Sequence, residues 1–168
     1  GTKMYVIGSS GDDVNEYSLS TAFDVSSASF AGNSERFSVA SQENTPTGIS
    51  FNNDGTKMFI IGSTGDDVNE YALTTGFDVS TASYVQLFSV ASQESTPHGI
   101  TFNNDGTKMF VIGISGDDVN EYNLSTAFDV SSASFAGNSE RFSVAAQENY
   151  PNGLGFNNDG TKMFVVGQ

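Results

Sequence analysis

The stretch "PTGISFNNDGTKMFIIG", Pro46 to Gly62, decides the fold. Two short apolar segments, Gly48 to Asn52 and Lys57 to Gly62, flank "NNDG", where Asn or Asp followed by Gly supplies the positive φ of a tight hairpin. Both segments are strand-sized, and the second is apolar on both faces, because Met58 and Ile60 alternate with Phe59 and Ile61. A strand of that kind must lie between two layers. "NNDGTKMF" returns at Asn103 to Phe110 and at Asn157 to Phe164, and the chain opens on the related "GTKMYVIG".

Aligning the copies on "GTKM" divides a single domain, residues 1–168, into repeats 1–54, 55–105 and 106–159 and a partial repeat 160–168. A period of that length indicates a propeller or a solenoid. Each repeat adds a third segment, Asp67 to Thr74 in the second copy, and a fourth, Leu87 to Ser92. Gly, Asn, Asp and Ser clusters separate them, and no segment carries a 3.6-residue apolar stripe, so helix content is expected near zero. The second repeat is shorter because "YVQLF", Tyr84 to Phe88, stands where the first has "FAGNSERF", Phe30 to Phe37; this places the length change in a connection. Four antiparallel strands per repeat, covered on both faces, describe an all-β fold, a β-propeller of four-stranded antiparallel blades with three blades per chain.

The residues "SFNNDGTKMFIIG", with "TPTG" upstream and "DDVNEYAL" downstream, resemble propeller repeats of the YVTN and PD40 (WD40-like) type. The resemblance covers the whole chain and implies blade geometry rather than chemistry. Naming strands A to D from the axis outward, as it implies, the chain reads BCD, ABCD, ABCD, AB. Three blades are too few to surround an axis. The simplest closure is a homodimer forming a six-bladed ring, with the last A strand of one copy completing the first sheet of the other. The B strands Lys3 to Gly8 and Lys162 to Gly167 then compete for one place. The alternative is that these residues are a slice of a longer array.

Composition narrows the partners. Twenty acidic against six basic residues give a net charge of −14, which repels nucleic acid and anionic membranes. There is no cysteine, hence no disulfide and no thiolate metal site, and no apolar run long enough for membrane insertion. Abundant Ser, Thr, Asn and Gly with little Lys leads to an expectation of extracellular or surface display, on bacteria or phage.

The first and third repeats differ at eight of 54 positions, and six of these fall in or beside the D-to-A and B-to-C connections. That face is the expected ligand face, with Thr45, Thr47, Thr96, His98, Tyr150 and Asn152 as candidate binding residues. The expected ligand is a carbohydrate or a protein, with Tyr150 the aromatic available for stacking on a sugar. His98, the only histidine, is read as lining the channel rather than as a base, so no catalytic residue and no enzyme is expected. A hydrolase or lyase with an acidic axial pocket is the alternative, and a purely structural repeat fragment of a longer surface protein a third reading. No cofactor is expected. The pairs Asp12/Asp13, Asp66/Asp67 and Asp117/Asp118 are calcium candidates by residue type, set against a plainer role in which the first Asp satisfies turn amides and the second begins a strand.

Overall fold

In the computed structural model, which describes residues 1–168, the apolar segments form four successive antiparallel sheets. The first contains β1 (Lys3–Gly8), β2 (Asp13–Leu19), β3 (Ala28–Phe30) and β4 (Arg36–Ser38). The second contains β5 (Pro46–Phe51), β6 (Lys57–Gly62), β7 (Asp67–Leu73) and β8 (Ala82–Ser89). In the third, β9 (Pro97–Phe102), β10 (Lys108–Gly113) and β11 (Asp118–Leu124) are followed by β12 (Ala133–Phe135) and β13 (Arg141–Ser143). The fourth is the pair β14 (Pro151–Phe156) and β15 (Met163–Gly167). Successive strands pair with one another, except that β4 and β13 pair with β2 and β11 as continuations of the interrupted fourth strand, so every sheet is a meander, the form of a propeller blade. The only helical turns are three-residue 3₁₀ turns, and no helix is long and apolar enough to cross a membrane.

The core lies between blades rather than within them. On β6, Phe59 and Ile61 pack with Met109, Val111 and Tyr122 of the third blade, whereas Met58 and Ile60 pack with Val14 and Val39 of the first. All four β6 side chains are fully buried, which is why this strand is apolar on both faces. The innermost strands β5, β9 and β14 lie side by side. There the glycine of each Pro-x-Gly triplet is required for space: a Cβ on Gly48 would sit 2.7 Å from the His98 carbonyl oxygen, and one on Gly99 would sit 3.1 Å from the Gly153 Cα.

Two local expectations are corrected. The "NNDG" connection is a five-residue loop in which only Gly55 has positive φ, at 72°. Asn52 Oδ1 accepts from the Lys57 amide at 2.9 Å, and Asp54 Oδ1 accepts from the Thr56 amide and hydroxyl at 3.0 and 2.6 Å. Those bonds hold the Asp54 carboxyl below the usual carboxylate range. The aspartate is therefore a turn cap. The fourth strand, in turn, begins earlier than Leu87, at Ala82, and the length difference between repeats falls inside it. In blade one both halves pair with β2, Tyr17 opposite Phe30 and Asn15 opposite Arg36, so the extra residues loop out between β3 and β4. An edge strand tolerates this because it has no ladder to preserve on its outer side.

The shorter second repeat leaves a defect. In blade three Arg141 lies opposite Asn120, donates from Nε to Asn120 Oδ1 at 2.8 Å and from its terminal nitrogen to the Gln93 carbonyl at 3.1 Å. In blade two Leu87 occupies that place, and the buried Asn69 opposite it has neither amide atom hydrogen-bonded. Leu87→Arg is expected to raise the unfolding free energy by about 1–2 kcal/mol, since one charge-assisted bond satisfies a buried amide. Guanidinium denaturation of the two chains checks it; an unchanged midpoint would show that Asn69 is already satisfied by solvent.

Candidate functional site at the axial mouth

The second residue of each innermost strand, between the proline and the glycine, sits at a β-bulge in β5, β9 and β14. These residues are Thr47, His98 and Asn152. The bulge arises because the proline has no N–H for the ladder, and it turns the next side chain toward the neighbouring blade. Thr47 Oγ1 donates to the Pro97 carbonyl at 3.0 Å or the Ile61 carbonyl at 3.2 Å. His98 Nδ1 meets Asn152 Oδ1 in a short hydrogen bond. An amide oxygen only accepts, so Nδ1 is the donor in this contact, and Nε2 makes no hydrogen bond within the chain. Three of the six candidate residues are thus brought together from three different blades.

Thr45, Thr96 and Tyr150 form an outer tier, each directly before its proline. Thr96 Oγ1 is 2.8 Å from Ser115 Oγ in the adjoining B-to-C turn, and Thr45 Oγ1 is 3.0 Å from Thr64 Oγ1. Tyr150 is 47% exposed. Beneath this tier lies a group that the sequence pattern did not single out. Glu43 and Glu94 are buried carboxylates, and each accepts three backbone N–H groups: Glu94 takes those of Thr96, Ser115 and Gly116 at 2.8, 3.0 and 3.1 Å. Glu43 does the same with Thr45, Thr64 and Gly65 at 2.7, 3.2 and 3.3 Å. They join the D-to-A connection to the B-to-C turn and support the rim above. A signal was available, because Glu43, Glu94 and Glu148 each follow a glutamine and precede the proline by three residues.

The aspartate pairs do not gather into a cation cage. Asp12, Asp66 and Asp117 adopt positive φ of 51–52° in the turn, and the Oδ1 of each is buried without a hydrogen bond. Burial first, and then the charges of Asp67, Glu43 and Glu94, push the Asp66 carboxyl above its ordinary range. Asp13, Asp67 and Asp118 begin the C strands, and Arg36 and Arg141 lie 3.4 and 3.3 Å from Asp13 and Asp118. The acidic side chains that approach within 4.8 Å of one another are Glu16, Glu35 and Asp78, at the junction of blades one and two, and these could hold a hard cation. At the next junction Gln86 stands in the third place and donates its amide to Glu70 at 2.9 Å and Asp129 at 2.8 Å.

No protein-family model matches the sequence, and no curated protein matches it. Solved structures match the fold. A proposed 6-phosphogluconolactonase from Bacteroides fragilis aligns with 98% of this chain and 44% of its own, at 16% identity and TM-score 0.66. Another from Bacteroides uniformis aligns with 98% of this chain and 44% of its own, at 12% identity and TM-score 0.65. The β-propeller domain of Cps50 (Swd1) from Myceliophteria thermophila aligns with 99% and 48%, at 9% identity and TM-score 0.56. The chain therefore spans less than half the length of these propellers. The likeness establishes the β-propeller fold. It also corrects the expectation of a non-enzymatic binding or display module, since neighbours of this fold include two that carry the name of a hydrolase.

Proposed function

We propose that this chain is part of a hydrolytic propeller acting on an uncharged lactone or ester at the axial mouth, with YVTN/PD40-type blades as its scaffold. The observation that carries the reading is the His98–Asn152 contact at the axis. Support for the blade type is the Pro-x-Gly, Asp-Gly and Val-x-x-Tyr pattern repeated along the chain.

The chemistry follows from the His98–Asn152 contact. With Nδ1–H donated to Asn152, His98 Nε2 takes a proton from water as its oxygen attacks the lactone carbonyl. The Asn152 Nδ2 amide, which has no partner within the chain, is the donor available to the carbonyl oxygen as it becomes anionic. Collapse of the tetrahedral adduct breaks the ring C–O bond, and the histidine returns its proton to the departing alkoxide, giving the hydroxy acid. A water molecule is consumed and no cofactor is called for.

Charge argues for a neutral substrate. Lys3, Lys57 and Lys108 begin B strands at the far end of the blades, with Lys162 at the matching place, and Arg36 and Arg141 are tied to Asp13 and Asp118, so the mouth offers a phosphate no free lysine or arginine. Titration of acid release from glucono-δ-lactone and its 6-phosphate tests the proposal. The unphosphorylated lactone is expected to open faster, and His98→Ala to lower kcat by about 100-fold or more, with folding unchanged. Equal rates with and without protein would end the hydrolytic reading; a full rate in His98→Ala would remove the histidine from it.

A further inference from the structure

At the opposite end of the blades, the C-to-D connection "AFDVSSAS" acts as a plug. In blade three the Phe128 ring covers Gly106 and packs on Phe102 at 5.4 Å, and Val130 is fully buried. The plug seats against blade two: the Val130 amide donates to Glu70 Oε2 at 3.0 Å, and Lys57 Nζ donates to the Phe128 carbonyl at 2.6 Å. Blade two seats its own plug against blade one in the same way. The Val79 amide donates to Glu16 Oε2 at 3.4 Å, and Lys3 Nζ donates to the Phe77 carbonyl at 3.0 Å.

One plug and one socket of this kind remain unmatched. Blade three presents Lys108 paired with Glu121 at 2.6 Å, and Phe110 packed on Phe156 at 4.7 Å, around a cleft of about 590 Å³ that receives no loop from within the chain. Gly160, the counterpart of Gly55 and Gly106, has nothing within 4 Å where those two lie under phenylalanine rings. Blade one, conversely, presents Phe23 85% exposed and Val25 72% exposed. Phe23, like Phe77 and Phe128, is held at positive φ, a conformation costly for a bulky side chain and sustained only for a purpose.

We infer that the Phe23–Val25 loop of a second copy of this chain seats in the cleft lined by Lys108, Phe110, Glu121 and Phe156. Ala22–Ser29 is identical in sequence to Ala127–Ser134, the loop already seated in the equivalent socket of blade two, so the fit is one the chain makes within itself. In the seated arrangement Val25 N–H donates to Glu121 and Lys108 donates to the Phe23 carbonyl. A second contact continues the same path: Asn53 Nδ2 donates to the Asn104 carbonyl at 2.8 Å and Asn104 Nδ2 to the Asn158 carbonyl at 2.7 Å, and Asn158 is positioned to donate to Asn53 of the second copy. β1 of that copy and β15 compete for the place beside β14. Gly1 lies under the Phe23 ring of its own chain, and Gly160 holds the same place in the repeat with nothing over it, so the plug seats over either strand. Two reciprocal junctions close a ring of six blades, the one multiple of three within the usual range of four to eight.

Sedimentation velocity of the 168-residue chain at about 100 μM in ~150 mM NaCl, which screens the repulsion between two acidic copies, tests this. The expected species has twice the 17.7 kDa mass of the chain. The double variant Phe23→Asp/Val25→Asp, altered only at exposed positions, is expected to sediment as a monomer with an unchanged far-ultraviolet circular dichroism spectrum. Should that variant misfold, Glu121→Lys, which removes the acceptor in the socket, is expected to give the monomer instead. A monomeric wild-type chain, or a folded variant that remains dimeric, would overturn the inference. Sedimentation reads association and not turnover, so its outcome is independent of the hydrolytic reading.

Discussion

Replacing Glu94 with alanine is expected to lower the unfolding free energy by about 3–5 kcal/mol, more than any other single substitution proposed for this chain. The carboxylate is buried, and its two oxygens accept from Thr96, Ser115 and Gly116. Truncation leaves three backbone donors without their acceptor in a space water enters poorly, and each such orphan costs about 1–3 kcal/mol, with partial relief as the loops relax. For a chain of this size the loss corresponds to a fall in Tm of about 10–15 °C. Glu94→Gln separates the causes. Its oxygen keeps the Thr96 and Ser115 bonds while its amide nitrogen faces the Gly116 N–H, so it is expected to fall between wild type and alanine. Denaturant titration of the three proteins gives the order; an alanine variant within about 1 kcal/mol of wild type would show that the rim is held by something other than this carboxylate.

Gly48→Ala is expected to cost about 2–3 kcal/mol and to disturb the axial mouth as well. The new Cβ would meet the His98 carbonyl oxygen at 2.7 Å and the Ile61 Cγ2 at 2.9 Å, both on packed elements that cannot swing aside. Relief requires β5 and β9 to separate, which moves the backbone that carries His98. Gly155→Ala is the control, because a Cβ there has nothing within 4 Å and the equivalent positions already carry Ser50 and Thr101. Thermal unfolding should show Gly155→Ala unchanged and Gly48→Ala lowered by about 5–10 °C. Equal behaviour of the two would mean that β5 and β9 have room to part at no cost.

Both positions show how far the sequence could be read. Gly48 was legible as part of a repeated Pro-x-Gly triplet, but not its reason, which is a contact with a strand some 50 residues away in sequence. The aspartates of "NNDG" and of the Gly-Asp-Asp turns attract attention as possible ligands because acidic residues stand out in a string. Folded, Asp54 caps its own turn and Asp118 begins a strand. Glu43 and Glu94, less conspicuous in the sequence, hold the rim. A carboxylate that accepts backbone N–H groups leaves no trace in composition or periodicity, since its partners are peptide groups that every residue possesses.

The amino-acid sequence by itself determined the all-β class, the four-strand repeat and the inside-and-outside alternation of β6, because these depend on local turn chemistry and on a two-residue period. It also marked out the six residues on the variable face, of which Thr47, His98 and Asn152 meet at the axis. Only the tertiary structure decided which groups touch: that His98 Nδ1 meets Asn152 Oδ1, that Asn69 has no arginine opposite it, and that the Phe128 loop seats against Lys57 and Glu70 of the preceding blade. The physical reason is that the core of a propeller lies between blades. Each of these contacts joins positions about one repeat or more apart, or depends on side chains packed between neighbouring sheets, and a pattern with a period of two or of 54 residues does not specify such distances.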